Sequence, residues 1–236
     1  MPLDMQDRQL GRVAVIKCAG RIVAGIEAQS LESHINKLCD GCRDLLLDVA
    51  EVNFIDSSGL GTLVRLMTRI RRTGGDLKLC AAPPPVQHLL KLTNLLQVFD
   101  VHESEVSALT AFYGRSRPTE TKAEVPACRV LCIHSSVDTL VYLREVLCRS
   151  GYDAITTSNV PDALVLLKAT SPALVILAEE MHSARGRATA AMLQQTRPDL
   201  PVIALEQSFS TQDAGQAGSW LLDAVRSRLA KSGTAS

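Results

Sequence analysis

Short apolar runs alternate with amphipathic stretches along both halves of the chain, the pattern of sheets covered by helices. In the first half, Val13 to Cys18 (VAVIKC) predicts a strand, which Arg21 to Ala24 continues after a turn at Gly20. Leu31, Ile35 and Leu38 share one face of a helix over Ala28 to Leu38. Leu45 to Val49 (LLLDV) and Val52 to Ile55 read as short buried strands. The strongest helix runs from Ser58 to Thr73, where Leu60, Leu63, Val64, Met67 and Ile70 make a core-facing stripe. Gly74-Gly75 stops it. Leu77 to Cys80 follows as a strand, then a proline-led helix at Val86 to Leu92 and a last helix at Glu103 to Phe112.

Gly114 to Val125 (GRSRPTETKAEV) lacks any apolar period and reads as a linker. Beyond it, Arg129 to Ile133, Ala154 to Thr157, Ala173 to Ala178 and Pro201 to Leu205 predict strands. A helix over Asp138 to Arg149 turns Leu140, Leu143, Leu147 and Cys148 inward and ends at Gly151. Asn159 caps the next helix, with Pro161 in its first turn, and Ser219 to Ala230 is the last. This βα rhythm predicts a parallel sheet. The boundaries are residues 1–113, a linker at 114–126, a second domain at 127–231 and a tail at 232–236.

The composition narrows the function. Of 236 residues, 25 are Lys or Arg and 25 are Asp or Glu, so no net field attracts a polyanion. Aromatics are only 3%, which removes the stacking platforms a single strand needs. Nucleic acid is therefore not an expected partner. Met1 to Leu10 carries charges and no apolar run, and no stretch is long enough to span a membrane. Seven scattered cysteines fit reduced thiols, and the expected location is cytoplasmic. Cys39-Asp40-Gly41-Cys42 is a lone pair without the further ligands zinc needs, and it follows a helix, unlike a redox pair. The five histidines form no set, so neither a metal nor a cofactor is expected.

The most informative segment is Val52-Asn53-Phe54-Ile55-Asp56-Ser57-Ser58-Gly59-Leu60-Gly61, where a strand ends and a helix begins. Asp and Ser are good N-caps, and small glycines allow close packing. An exposed hydroxyl at this position can also accept a phosphoryl group, because free N–H groups and the helix dipole tolerate the added anion. Arg65, Arg69 and Arg72 form a basic face on the same helix, either solvated or set against an acidic partner.

Residues 1–113 resemble a STAS domain of the anti-sigma-factor antagonist type. The resemblance rests on Gly20-Arg21, Asp48 and Phe54-Ile55-Asp56-Ser57-Ser58-Gly59-Leu60-Gly61. It extends through Gly74-Gly75, Leu77-Lys78-Leu79-Cys80, the proline-led helix and Leu95 to Phe99. It implies a mixed-sheet α/β fold. It also implies a phosphoacceptor at Ser57, with Ser58 the second choice, and a partner surface of Asp56, Ser57, Ser58, Gly59, Arg65 and Arg69. The implied partners are an ATP-dependent anti-sigma factor serine kinase and a serine phosphatase. Gly25-Ile26-Glu27 departs from the more polar pattern of many relatives.

Through Val130 to Ile133, Leu143-Arg144-Glu145 with Gly151-Tyr152, Ala163 to Leu167, Ser171 to Leu177 and Leu200 to Leu205, residues 127–231 resemble a response-regulator receiver, a flavodoxin-like parallel-sheet fold, with its chemistry removed. His134-Ser135 stand where the acidic pair belongs, Ala178 replaces the acceptor aspartate, and Glu206 replaces the hydroxyl. The segment that should supply the family's lysine is read as deleted, because about one helix follows Ser210. Hard cations want several oxygen ligands, so the resemblance implies a pseudo-receiver kept for interaction. The expected function is a non-enzymatic regulatory switch. One alternative is a scaffold subunit of a larger signalling or lipid-transport assembly. Another is a second domain that still phosphorylates itself at Glu179 or Asp138.

Overall fold

The computed structural model describes residues 1–39, 44–114, 128–178, 193, 195–205 and 214–232. The chain divides into two compact units, Met1–Arg115 and Ser116–Ser236. The first is a five-stranded sheet in the order β1-β2-β3-β4-β5. Its strands are β1 (Asp4–Leu10), β2 (Val13–Ile22), β3 (Asp44–Ile55), β4 (Asp76–Cys80) and β5 (Asp100–His102). β1 is antiparallel to β2, and all other pairs are parallel. The helices are α1 (Ile26–Cys39), α2 (Ser57–Arg72), α3 (Pro84–Leu92) and α4 (Glu105–Gly114).

The strands' two-residue period sorts their side chains onto two faces. Ala14, Ile16, Cys18, Leu45, Leu47, Leu77 and Leu79 pack with Leu31 and Ile35 of α1, Leu63, Leu66 and Met67 of α2, and Leu90 of α3. The alternate positions of β4 include Lys78, which is 1% exposed and lies 5.1 Å from the centre of the Phe112 ring. That contact places α4 on the opposite face. Lys78 pairs there with Asp100, and with Asp76 at 3.4 Å, so its buried ammonium is neutralised.

Several elements differ from their sequence-based expectation. β1 was not foreseen, because it is an edge strand with a polar sequence, DMQDRQL, in which only Leu10 is fully buried. Gly20 is not a turn but an interior position of β2 with φ of 103°; a Cβ there would lie 2.2 Å from the Pro2 carbonyl oxygen. The two short runs after Asp44 are one twelve-residue strand, β3. In α2 the stripe includes Leu66, while Val64 is only half-buried. Thr73 caps α2, Gly74 takes φ of 78°, and its N–H bonds the Arg71 carbonyl, so the glycine stop is as expected. Gly114 closes α4, while residues 115–126 of the expected linker lie outside the described residues.

The second unit holds β6 (Arg129–Ile133), β7 (Asp153–Thr157), β8 (Leu174–Ala178) and β9 (Val202–Leu205), all parallel in the order β7-β6-β8-β9. Helices among its described residues include α5 (Val137–Arg149), α6 (Val160–Thr170) and α7 (Ala214–Ser232). Asn159 caps α6 as expected, accepting from the Asp162 N–H at 2.9 Å. Cys148 is exposed, not inward: it falls on the outer surface of α5, away from Leu140, Leu143 and Leu147. No helix among the described residues is long and apolar enough to cross a membrane.

Candidate phosphoacceptor site

β3 ends at Ile55, and Asp56, with extended backbone (φ −89°, ψ 177°), is the N-cap of α2. Its two carboxylate oxygens do separate jobs. One accepts from the Gly59 N–H at 2.7 Å, which satisfies an orphan donor of the first turn. The other accepts from the Ala24 N–H at 3.0 Å and ties the segment after β2 to the start of α2. These bonds, to Ala24 first and then Gly59, hold the carboxyl below its ordinary pKa.

Asp56 therefore stabilises the fold as the anion. That contribution is complete above the unfolded carboxylate's pKa of about 3.9 and is lost as pH falls through the lower folded value. The stability lead of the wild type over Asp56→Asn is expected to hold steady above about pH 5 and to shrink below about pH 4. Urea denaturation at stepped pH measures it; a lead that does not change with pH contradicts the assignment.

Gly59 faces inward. A Cβ there would stand 2.1 Å from the Ile22 carbonyl oxygen, so α2 touches β2 backbone to backbone. Of the surface expected to meet a partner, Gly59 serves packing instead. Ser57 and Ser58, the first two helical residues, are exposed, and neither hydroxyl is engaged among the described residues. Ser57 thus presents an accessible oxygen at the positive end of a sixteen-residue helix.

The predicted basic face divides. Arg69 donates to Asn36 Oδ1 of α1 at 2.6 Å, so it fastens two helices together. Arg65 donates to Thr62 Oγ1 at 2.8 Å, close to the start of α2. Arg72 remains exposed. Two residues that sequence reasoning did not assign to the surface stand at the same end of the sheet. Ile26 opens α1 and is 78% exposed; Phe54, two residues before Asp56, is 52% exposed. Apolar residues left in water suit contact with another molecule, and Ile26 lies in the Gly25-Ile26-Glu27 stretch that departs from the more polar pattern.

Elsewhere the chemistry is quiet. Burial pushes the Cys18 and Cys80 thiols up to about 12 and raises Cys132 as well, so these are packing residues. Asp40 to Cys42, Glu179, Glu180 and Glu206 lie outside the described residues. His134 and Ser135 directly follow β6, and Ala178, 2% exposed, ends β8. Among the described residues, no three His, Cys, Asp or Glu side chains converge as metal ligands.

Comparison with known proteins bears on the first unit. The family model of the STAS domain matches residues 4–108. An anti-sigma F factor antagonist of Paenibacillus polymyxa is 35% identical over 69 residues, which cover 29% of this chain and 59% of that protein. BtrV of Bordetella bronchiseptica, assigned as an anti-sigma factor antagonist, is 29% identical over 99 residues, 42% of this chain and 85% of the relative. The crystal structure of an anti-sigma factor antagonist from Mycobacterium paratuberculosis is 24% identical, with a TM-score of 0.42, over 46% of this chain and 92% of that one. Residues 4–108 match the STAS domain model, and within that span the chain is similar to anti-sigma factor antagonists.

Proposed function

We propose that the chain is an anti-sigma factor antagonist switched by phosphorylation of Ser57. The unphosphorylated STAS domain binds an ATP-dependent anti-sigma factor serine kinase, and the sigma factor is freed. The kinase then transfers the γ-phosphoryl group of ATP to Ser57 Oγ; ADP leaves, the hydroxyl proton goes to solvent or a kinase base, and the complex separates. A serine phosphatase restores the hydroxyl. The chain itself is binder and substrate, working without cofactor or metal in the cytoplasm.

The observation that carries this reading is Ser57 itself. Its exposed, unengaged hydroxyl directly follows the N-cap of α2 in a domain similar to anti-sigma factor antagonists. The experiment is affinity capture with the full chain from its native cell, with and without phosphatase treatment. Recovery of a serine kinase that improves after dephosphorylation supports the reading. A constitutive multi-subunit complex, indifferent to phosphatase, favours the scaffold alternative.

The second unit serves in this proposal as an interaction module of pseudo-receiver type. Its strand order, β7-β6-β8-β9, is the start of the flavodoxin-like order. His134, Ser135 and Ala178 offer neither a pair of cation-binding carboxylates nor an acceptor aspartate. The full chain incubated with magnesium and acetyl phosphate is expected to show no added phosphate by intact mass. A phosphoryl mass gain that maps to Glu179 or Asp138 contradicts this.

A further inference from the structure

The two glycines that follow the serines are not equivalent. A Cβ on Gly59 would strike the Ile22 backbone, whereas one on Gly61 would meet only Arg65 Nη1, at 3.8 Å. Gly61 is therefore not a close-packing glycine. Its missing side chain leaves bare backbone on the outer surface of α2, and Arg65 occupies it. Long side chains on a helix lean toward its N-terminus, so Arg65 reaches back over the residue four before it. There Nη2 donates to Thr62 Oγ1 at 2.8 Å, and the Thr62 hydroxyl donates to the Ser58 carbonyl at 3.0 Å. The guanidinium is anchored, yet the residue stays exposed and has no carboxylate partner among the described residues.

The same step repeats toward the helix start. Residues four apart on a helix are surface neighbours, with Cβ positions roughly 5–6 Å apart. Ser57, Gly61 and Arg65 thus form one lane: a free hydroxyl at one end, a held cation over the middle, and no side chain between them. The parallel lane from Ser58 runs into Thr62, whose side chain, 1% exposed, fills it.

Resting on the reading of Ser57 as the acceptor, we infer that Arg65 is an in-chain counter-ion for a phosphoryl group on Ser57, seated across the bare backbone of Gly61. A guanidinium presents several N–H donors to phosphate oxygens, and a phosphoserine carries about −1.5 to −2 charges. Phosphorylation would then remove two partner determinants together, the hydroxyl and the Arg65 cation. The preference between adjacent serines also acquires a cause within the chain.

The test installs phosphoserine genetically at position 57 of the full chain, so that it requires no kinase. The second phosphate pKa is followed by phosphorus NMR. Arg65→Gln is expected to raise it by about half a unit, the size of an exposed charge pair. Arg65→Lys should restore part of the shift, and Gly61→Leu, which fills the lane, should act like Arg65→Gln. Phosphoserine installed at position 58 should respond less to Arg65→Gln. Equal pKa values with and without Arg65, or a larger response at 58 than at 57, would overturn the inference. Neither result touches the acceptor assignment, which a kinase assay on Ser57→Ala decides separately.

Discussion

Ser57→Asp is expected to abolish capture of the partner kinase while leaving thermal unfolding of the full chain nearly unchanged. The new carboxylate sits in the first turn of α2, where the dipole favours an anion by about 0.3–1 kcal/mol. The side chain points into solvent, so the fold has nothing to rearrange. An interface closed over position 57 responds very differently, because burying an unpaired charge costs several kcal/mol. A loss of roughly 3 kcal/mol weakens binding about a hundredfold. Capture assays beside a melting curve measure both halves of the expectation. Unaltered binding would show that position 57 lies outside the interface.

Gly59→Ala should have the largest effect on stability. The added methyl would stand 2.1 Å from the Ile22 carbonyl oxygen and 2.7 Å from its carbon. Both are backbone atoms of a strand paired on each side, so no rotamer change relieves the clash. α2 must move off β2, and the cost should reach or exceed about 3 kcal/mol, the upper end of ordinary overpacking. In a unit of this size that lowers the melting temperature by more than about 10 °C. Gly61→Ala is the matched control. It meets no backbone, and exchanging a helical glycine for alanine contributes up to about 1 kcal/mol, so it should leave stability equal or higher. Similar losses for the two variants would show that the contact with Ile22 does not decide the effect.

The legible parts of the molecule were those where local pattern and tertiary role agree. The stripe of α2, the Gly74 stop, the Asn159 cap and the buried strands β4, β6 and β8 all follow from spacing and cap chemistry. β1 does not, because an edge strand with both faces polar has no hydrophobic alternation; its strand state comes from pairing with β2. β3 looked broken because Ala50 and Glu51 interrupt its apolar run, yet they are exposed positions within one continuous strand. Cys148 looked inward because it adjoins Leu147, and helix rotation alone puts it outside.

The site shows the same division. Asp56, Ser57 and Ser58 at a helix start could be read from the strand-to-helix transition and cap preferences. The sequence did not separate a packing role for Gly59 from an open surface at Gly61, since that depends on which backbone passes nearby. Arg69 looked equivalent to Arg65, and only the position of Asn36 on α1 sets it apart. Ile26 and Phe54 resemble core residues in the sequence; the structure leaves both in water.

The most direct measurement of the central claim is phosphosite mapping with the captured kinase and ATP. The full-length wild type, Ser57→Ala and Ser58→Ala are each incubated and digested, and the phosphopeptides are read by mass spectrometry. The account predicts phosphate on Ser57 in the wild type and in Ser58→Ala, and none in Ser57→Ala. Phosphorylation of Ser57→Ala to the wild-type extent would contradict it.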